Sequence, residues 1–129
     1  MIYLDSSAAL AHLLLEEHRP NPELWEKPVI ASRLLEYEVW VGLNRLSLTR
    51  AQEDTARALL NRIALIEMIP EVVARAREAF PVPVRALDAI HLASAAFLIG
   101  EGLDLELATY DERMRAAAKK LKIPLYQHL

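Results

Sequence analysis

Four carboxylates of this chain sit where solvated surface charge explains them poorly. Asp5 ends the apolar run Ile2-Tyr3-Leu4, and Glu38 lies inside the apolar stretch Leu34 to Leu46. Asp88 opens the apolar segment Ala89 to Ile99, and Asp111 follows the run Leu105 to Tyr110. Gathered at one end of a sheet, these groups repel one another unless a hard divalent cation joins them. A metal-dependent site that cleaves phosphodiester bonds is the leading expectation from that pattern.

The elements that must position them alternate between strand and helix. Ile2 to Asp5 reads as a short buried strand, followed by a helix from Ser7 to Glu17 capped by Ser6 or Ser7. Pro20 and Pro22 mark a loop. Val29 to Ala31 is a second strand, and Ser32 caps a helix over Arg33 to Leu46, where Leu35, Val39, Leu43 and Leu46 recur at helical spacing. Thr49 caps a further helix through Ile63. Leu65 to Ile69 reads as a strand, Pro70 opens a helix over Glu71 to Phe80, and Pro81-Val82-Pro83 forces an extended connection. Arg85 to Glu101 is a long apolar helix ending at Gly100 or Gly102. Leu105 to Thr109 is a strand, Glu112 to Leu121 a helix, and Pro124 to Tyr126 a last short strand. The strands are apolar throughout rather than alternating, as when helices cover both faces of a parallel sheet. Sites in such sheets form beyond the carboxyl ends of the strands, where Asp5 and Asp111 fall.

Composition sets the outer bounds. At 129 residues and 53% hydrophobic, the chain is expected to be one domain over 1–129 with a real core. It has no cysteine, which removes disulfides and thiolate zinc sites. No apolar run approaches the ~20 residues that cross a bilayer. The start lacks the basic region and cleavage site of a signal peptide, so a cytoplasmic protein with no membrane association is expected. The net charge of −3 argues against a generic DNA-coating protein, yet an acidic cluster offset by bound metal is compatible with a nuclease.

Four landmarks recur in order. They are Tyr3-Leu4-Asp5-Ser6-Ser7-Ala8-Ala9-Leu10, Ser32 through Glu38 to Val39, Leu87-Asp88-Ala89-Ile90-His91-Leu92-Ala93, and Ala108-Thr109-Tyr110-Asp111. At these separations, over essentially the whole chain, they closely resemble the PIN-domain family, in particular the VapC-type toxin ribonucleases of VapBC toxin–antitoxin pairs. The resemblance implies a three-layer α/β fold with a five-stranded, mainly parallel sheet, and Mg²⁺- or Mn²⁺-dependent endoribonuclease activity. It also implies Asp5, Glu38, Asp88 and Asp111 as the catalytic, metal-binding quartet, an RNA substrate and a cognate antitoxin. Ser6 and Thr109 match the hydroxyl residues beside the first and last Asp, where they would hold carboxylates or waters. Little basic sequence flanks the acidic positions. Arg33, Arg45, Arg85 and Arg113, each near a landmark, are the candidate RNA-phosphate contacts. A symmetric homodimer is the default expectation and would let two sites share arginines.

Each residue also has a plainer explanation. Asp5 can cap its helix, although Ser6 and Ser7 can do so as well. Glu36, two positions from Glu38, faces nearly the opposite side of the same helix, and the more apolar neighbours favour Glu38. Asp88 can be a first-turn acid, and Asp111 can cap a helix while serving a site. His91, alone on an apolar helix, reads as a hydrogen-bonded structural residue outside the catalytic set. Two other functions compete with hydrolysis. One is a catalytically silent protein- or RNA-interaction module. The other is a phosphoryl-accepting receiver domain, weakened because no Lys lies between Lys27 and Lys119.

Overall fold

The computed structural model describes residues 1–129. Four strands, β1 (Ile2–Leu4), β2 (Val29–Ser32), β3 (Ala64–Ile66) and β4 (Glu106–Ala108), form one sheet in the order β3-β2-β1-β4. Every pairing is parallel, with Tyr3 opposite both Ile30 and Leu107. Six helices surround it: α1 (Ser6–Leu13), α2 (Leu34–Leu43), α3 (Arg50–Asn61), α4 (Pro70–Ala76), α5 (Ala86–Gly100) and α6 (Glu112–Lys120).

The central strands explain the layering. Successive side chains of a strand point to opposite faces, so a strand buried on both sides must be apolar at every position. In β1, Ile2 and Leu4 enter one core with Leu35 and Val39 of α2 and Leu59 and Leu60 of α3. Tyr3 enters the other core, with Leu92 and Leu98 of α5 and Met114 and Ala117 of α6. α4 packs on the outside of α5. The three-layer α/β reading therefore holds.

Strand number differs from expectation. The segment read as a fifth strand, Pro124 to Tyr126, makes only an isolated bridge, Leu107 to Leu125. The Leu107 N–H donates to the Pro124 carbonyl at 2.8 Å and the Tyr126 N–H to the Leu107 carbonyl at 2.9 Å. Proline has no N–H with which to extend that ladder. The loop expected around Pro22 contains a short 3₁₀ helix, Pro22–Glu26, capped by the Asn21 side chain.

Helix ends carry the remaining corrections. Asp5, not Ser6 or Ser7, caps α1, its side chain accepting the Ser7 N–H. Thr49 caps α3 as expected, and the structure adds a reciprocal bond from Gln52 that completes a capping box. α1 stops at Leu13 rather than Glu17, because Leu15 turns into the left-handed region at φ 52° and the Glu16 N–H closes back on the Ala11 carbonyl at 3.0 Å. The same closure ends α6 at Lys122, φ 60°, and α5 at Gly102, φ 97°. Glycine alone adopts that backbone without cost. At position 102 an added Cβ meets open space, so only the backbone resists a side chain. Gly102→Ala is therefore expected to lower unfolding free energy by about 1 kcal/mol with an unchanged m-value in urea melts. An unchanged midpoint would refute that account.

Candidate active site

All four acidic landmarks line one cleft of about 320 Å³ at the carboxyl end of the sheet. β1 delivers Asp5, α2 delivers Glu38, the first turn of α5 delivers Asp88, and the junction of β4 with α6 delivers Asp111. Ser6, Ser7 and Arg85 also line it. A larger apolar groove lies elsewhere, between the ends of α1 and α2 and the start of α3.

Asp5 is only 3% exposed, and its charge is satisfied by hydroxyls. Its Oδ2 accepts from Ser7 Oγ at 2.6 Å, from Thr109 Oγ1 at 2.7 Å and from the Ser7 backbone N–H at 3.3 Å. Both hydroxyls are themselves anchored. Ser7 Oγ accepts the Tyr110 N–H at 3.0 Å, and Thr109 Oγ1 accepts the Asp111 N–H at 3.0 Å. This clasp ties the end of β1 to the end of β4. Asp5 Oδ1 takes no hydrogen bond from the protein.

Glu38 is fixed differently. Its Oε1 is tightly hydrogen-bonded by Nε2 of His91, a fully buried residue on α5. Its Oε2 receives Ser6 Oγ at 3.3 Å. Nδ1 of His91 meets the Tyr3 hydroxyl at 2.9 Å, and that hydroxyl accepts the Ser32 N–H at 3.2 Å. Burial opposes protonation of His91, but the bond to Glu38 and the charges of Asp5, Glu38 and Asp88 outweigh it, and its pKa is raised. Glu36 instead pairs with Arg33 on the exposed side of α2.

Asp88 and Asp111 share one cation. Arg85 Nη2 donates to Asp111 Oδ2 at 2.7 Å and Arg85 Nε to Asp88 Oδ2 at 3.3 Å. Its side chain is 68% exposed, while those of Asp88 and Asp111 are 14% and 17%. Asp111 Oδ1 accepts the Met114 N–H at 2.9 Å and caps α6, so both its oxygens are engaged. Burial raises the Asp88 pKa, the neighbouring charges of Asp111 and Asp5 raise it further, and Arg85 only partly offsets them. For Asp111, burial is outweighed by the Met114 N–H and by Arg85, and its pKa is lowered.

The other arginines part company with Arg85. Arg33 is held at the far side of the sheet end by Glu67 and Glu36. Arg45 and Arg113 are exposed and stand outside the residues that line the cleft. Sequence reasoning did not connect Ser7, Tyr3 or Ser32 to the carboxylates. The available signal was Tyr3, a phenol inside an otherwise apolar strand, since a buried hydroxyl must find a partner.

The donor set is oxygen only, which suits a hard cation. Asp5 Oδ1 and Asp88 Oδ1 have no protein partner, and Glu38 Oε2 has one long one. No three His, Asp or Glu side chains are placed to hold one ion by themselves. That arrangement fits an ion such as Mg²⁺, which commonly takes one or two carboxylates and keeps several waters.

Comparison with known proteins gives a consistent picture. The PIN domain family matches residues 2–120. Ribonuclease VapC46 of Mycobacterium tuberculosis is 36% identical over 124 residues, covering 93% of this chain and 92% of the relative. Ribonuclease VapC47 of the same organism is 30% identical over 129 residues, covering 94% and 92%. Among solved structures, a toxin–antitoxin complex from Klebsiella pneumoniae superposes with a TM-score of 0.67 at 23% identity, covering 90% of this chain and 91% of that one. Mycobacterium tuberculosis VapC20, a toxin that cleaves the sarcin–ricin loop, gives 0.67 at 22% identity, covering 91% and 95%.

The raised Asp88 pKa carries a stability signature. The folded state binds that proton more tightly than the unfolded chain, so stability falls as pH rises from the unfolded value to the folded one. Above that window the penalty is constant. Asp88→Asn removes it, and Asn can still accept from Arg85. The variant, stripped of metal, is expected to melt about 2 °C higher than the parent at pH 7, with the gain vanishing below roughly pH 4. A gain that persists in acid would place its origin in packing rather than charge. Asp111 has the opposite sign: its contribution is present at neutral pH and is lost as pH falls through its lowered pKa.

Proposed function

The chain belongs to the PIN-domain family, and on that premise we propose that it is a divalent-metal-dependent endoribonuclease, the toxin of a toxin–antitoxin pair. The observation that carries this is the cleft itself, where four carboxylates from four separate elements converge with unpaired oxygens on Asp5 and Asp88. The names of the ribonuclease relatives support RNA as the substrate, and the likeness to a chain of a toxin–antitoxin complex supports an antitoxin as the partner. A homodimer and a cytoplasmic location belong to the same reading.

Asp5 and Asp88 are the proposed direct ligands of Mg²⁺ or Mn²⁺. The clasp from Ser7 and Thr109 occupies one oxygen of Asp5, and Arg85 occupies one of Asp88, leaving each a single oxygen to give. Single-oxygen ligands with waters between them suit a small octahedral ion better than Ca²⁺, which takes more oxygens and often a bidentate carboxylate. Asp111 would join them only with its Oδ2 released by Arg85. Glu38 turns Oε2 toward the cleft, where it orients the attacking water and accepts its proton. A cation held by Asp5 and Asp88 would lower the pKa of a bound water and offset charge on the scissile phosphate. Arg85, freed from Asp111, is placed to meet a phosphate oxygen. Because water attacks rather than the ribose 2′-hydroxyl, the products carry 5′-phosphate and 3′-hydroxyl ends.

One observation favours a second reading. Arg85 already neutralises Asp88 and Asp111 in the protein's own arrangement, as it would in a silent interaction module. Titration of the EDTA-treated protein with Mn²⁺ beside Asp5→Asn separates the two. Asn caps a helix as well as Asp, so α1 is expected to survive the change. The hydrolase shows saturable binding that the variant loses, and cleavage of RNA to 5′-phosphate ends disappears with it. Absence of binding at millimolar Mn²⁺ together with absence of cleavage supports the silent module, and 2′,3′-cyclic phosphate ends rule out the water mechanism.

A further inference from the structure

A polar chain runs inward from the cleft to the middle of the sheet. It links Glu38 on α2, His91 on α5, Tyr3 on β1 and the backbone N–H of Ser32 at the end of β2. Tyr3 and His91 are both fully buried, so neither meets substrate or solvent. Buried polar groups of this kind are expensive unless every one is satisfied. Here each finds a partner, and the bonds have a direction.

One direction satisfies every donor with a neutral ring. β1 ends at Leu4 while β2 continues to Ser32, so the Ser32 N–H has lost its neighbour in the ladder. The Tyr3 oxygen accepts it, which leaves the phenol free to give its own proton to Nδ1 of His91. A phenol carries its proton at neutral pH and can donate it. With Nδ1 accepting, the imidazole proton sits on Nε2 and points at Glu38 Oε1. Ser32 also holds the other end of the carboxylate's support, because its Oγ accepts the Leu34 N–H at the start of α2 at 3.1 Å.

We propose that Tyr3 and His91 are positioning residues that act through Glu38, fixing the His91 tautomer so that one carboxylate oxygen is held on Nε2 and the other is left to face the cleft. This rests on the hydrolytic role proposed for Glu38, but the tautomer it requires is a property of the metal-free protein. Tyr3→Phe keeps the ring and deletes only the hydroxyl. It leaves Nδ1 without its donor, and the ring is no longer held to one proton arrangement. The Ser32 N–H loses its acceptor at the same time.

The test has two arms. In the first, ¹⁵N spectra of the metal-free protein are expected to show His91 with its proton on Nε2, and in Tyr3→Phe with both ring nitrogens shifted. A proton on Nδ1 in the parent protein overturns the proposal. In the second, RNA cleavage is followed in a double-mutant cycle. Tyr3→Phe is expected to lower kcat about 10-fold with KM unchanged, the size typical of lost support behind a functional group. In a Glu38→Gln background the same change is expected to do nothing further. An equal fall in both backgrounds would mean that Tyr3 serves only the core, and the proposal fails. His91→Gln, whose amide can still donate toward Glu38, should retain more activity than His91→Ala. If the parent protein cleaves no RNA, the hydrolase reading fails while the spectra still decide the tautomer.

Discussion

Like charges confined in a small cleft repel one another, and the architecture around this one is organised to withstand that repulsion. Each carboxylate has donors within the protein, and only Asp88 and Asp111 share one. Asp5 takes hydroxyl and backbone protons from Ser7 and Thr109. Glu38 takes an imidazole N–H and a serine hydroxyl, while Asp88 and Asp111 divide one guanidinium. The strongest support is given to the most buried acid. Asp5, at 3% exposure, has three donors on one oxygen, as a charge removed from water demands. Asp88, with only Arg85, has its pKa raised by burial and by the charges of Asp111 and Asp5.

The fold was legible because its signals are redundant. Short apolar strands between helices, Pro70 at a helix start and the Thr49 cap each announce the same α/β alternation. Errors came where a local rule met a competing one. Ser6 and Ser7 are good caps by type, but Asp5 stands one step earlier, at the end of the strand, and takes the Ser7 N–H first. Leu46 continues the helical spacing of α2, yet the helix ends at Leu43 and leaves Leu46 exposed. The last strand had the right residues but a proline where a donor was needed.

The candidate site was legible in its acids and much less so in what holds them. Carboxylates advertise themselves when they interrupt apolar runs. Their supports do not, since a serine beside a cap, a tyrosine in a strand and a histidine on an apolar helix each have an ordinary structural explanation. His91 was read as a hydrogen-bonded structural residue, and it is one; the sequence could not say that its partner is Glu38, 53 positions away. The arginines show the same limit. Proximity to a landmark in sequence placed Arg85 at the cleft and told nothing useful of Arg33, whose nearest acids, Glu36 and Glu67, lie outside it.

The two cores share only the sheet, and the cleft straddles it. Glu38 belongs to the layer on one face, Asp88 and His91 to the layer on the other, with Asp5 at the seam. Their alignment is thus a measure of registry between layers that are not packed directly against each other along most of their length. Chemistry of this kind tolerates misplacement of no more than about 1 Å before rates collapse. The hydrogen bond from His91 to Glu38 spans the two layers at the cleft, so a shift of either layer against the sheet would separate the pair even with every strand pairing intact. Alignment of the four carboxylates is therefore a property of the sheet that both layers share, rather than of either core alone.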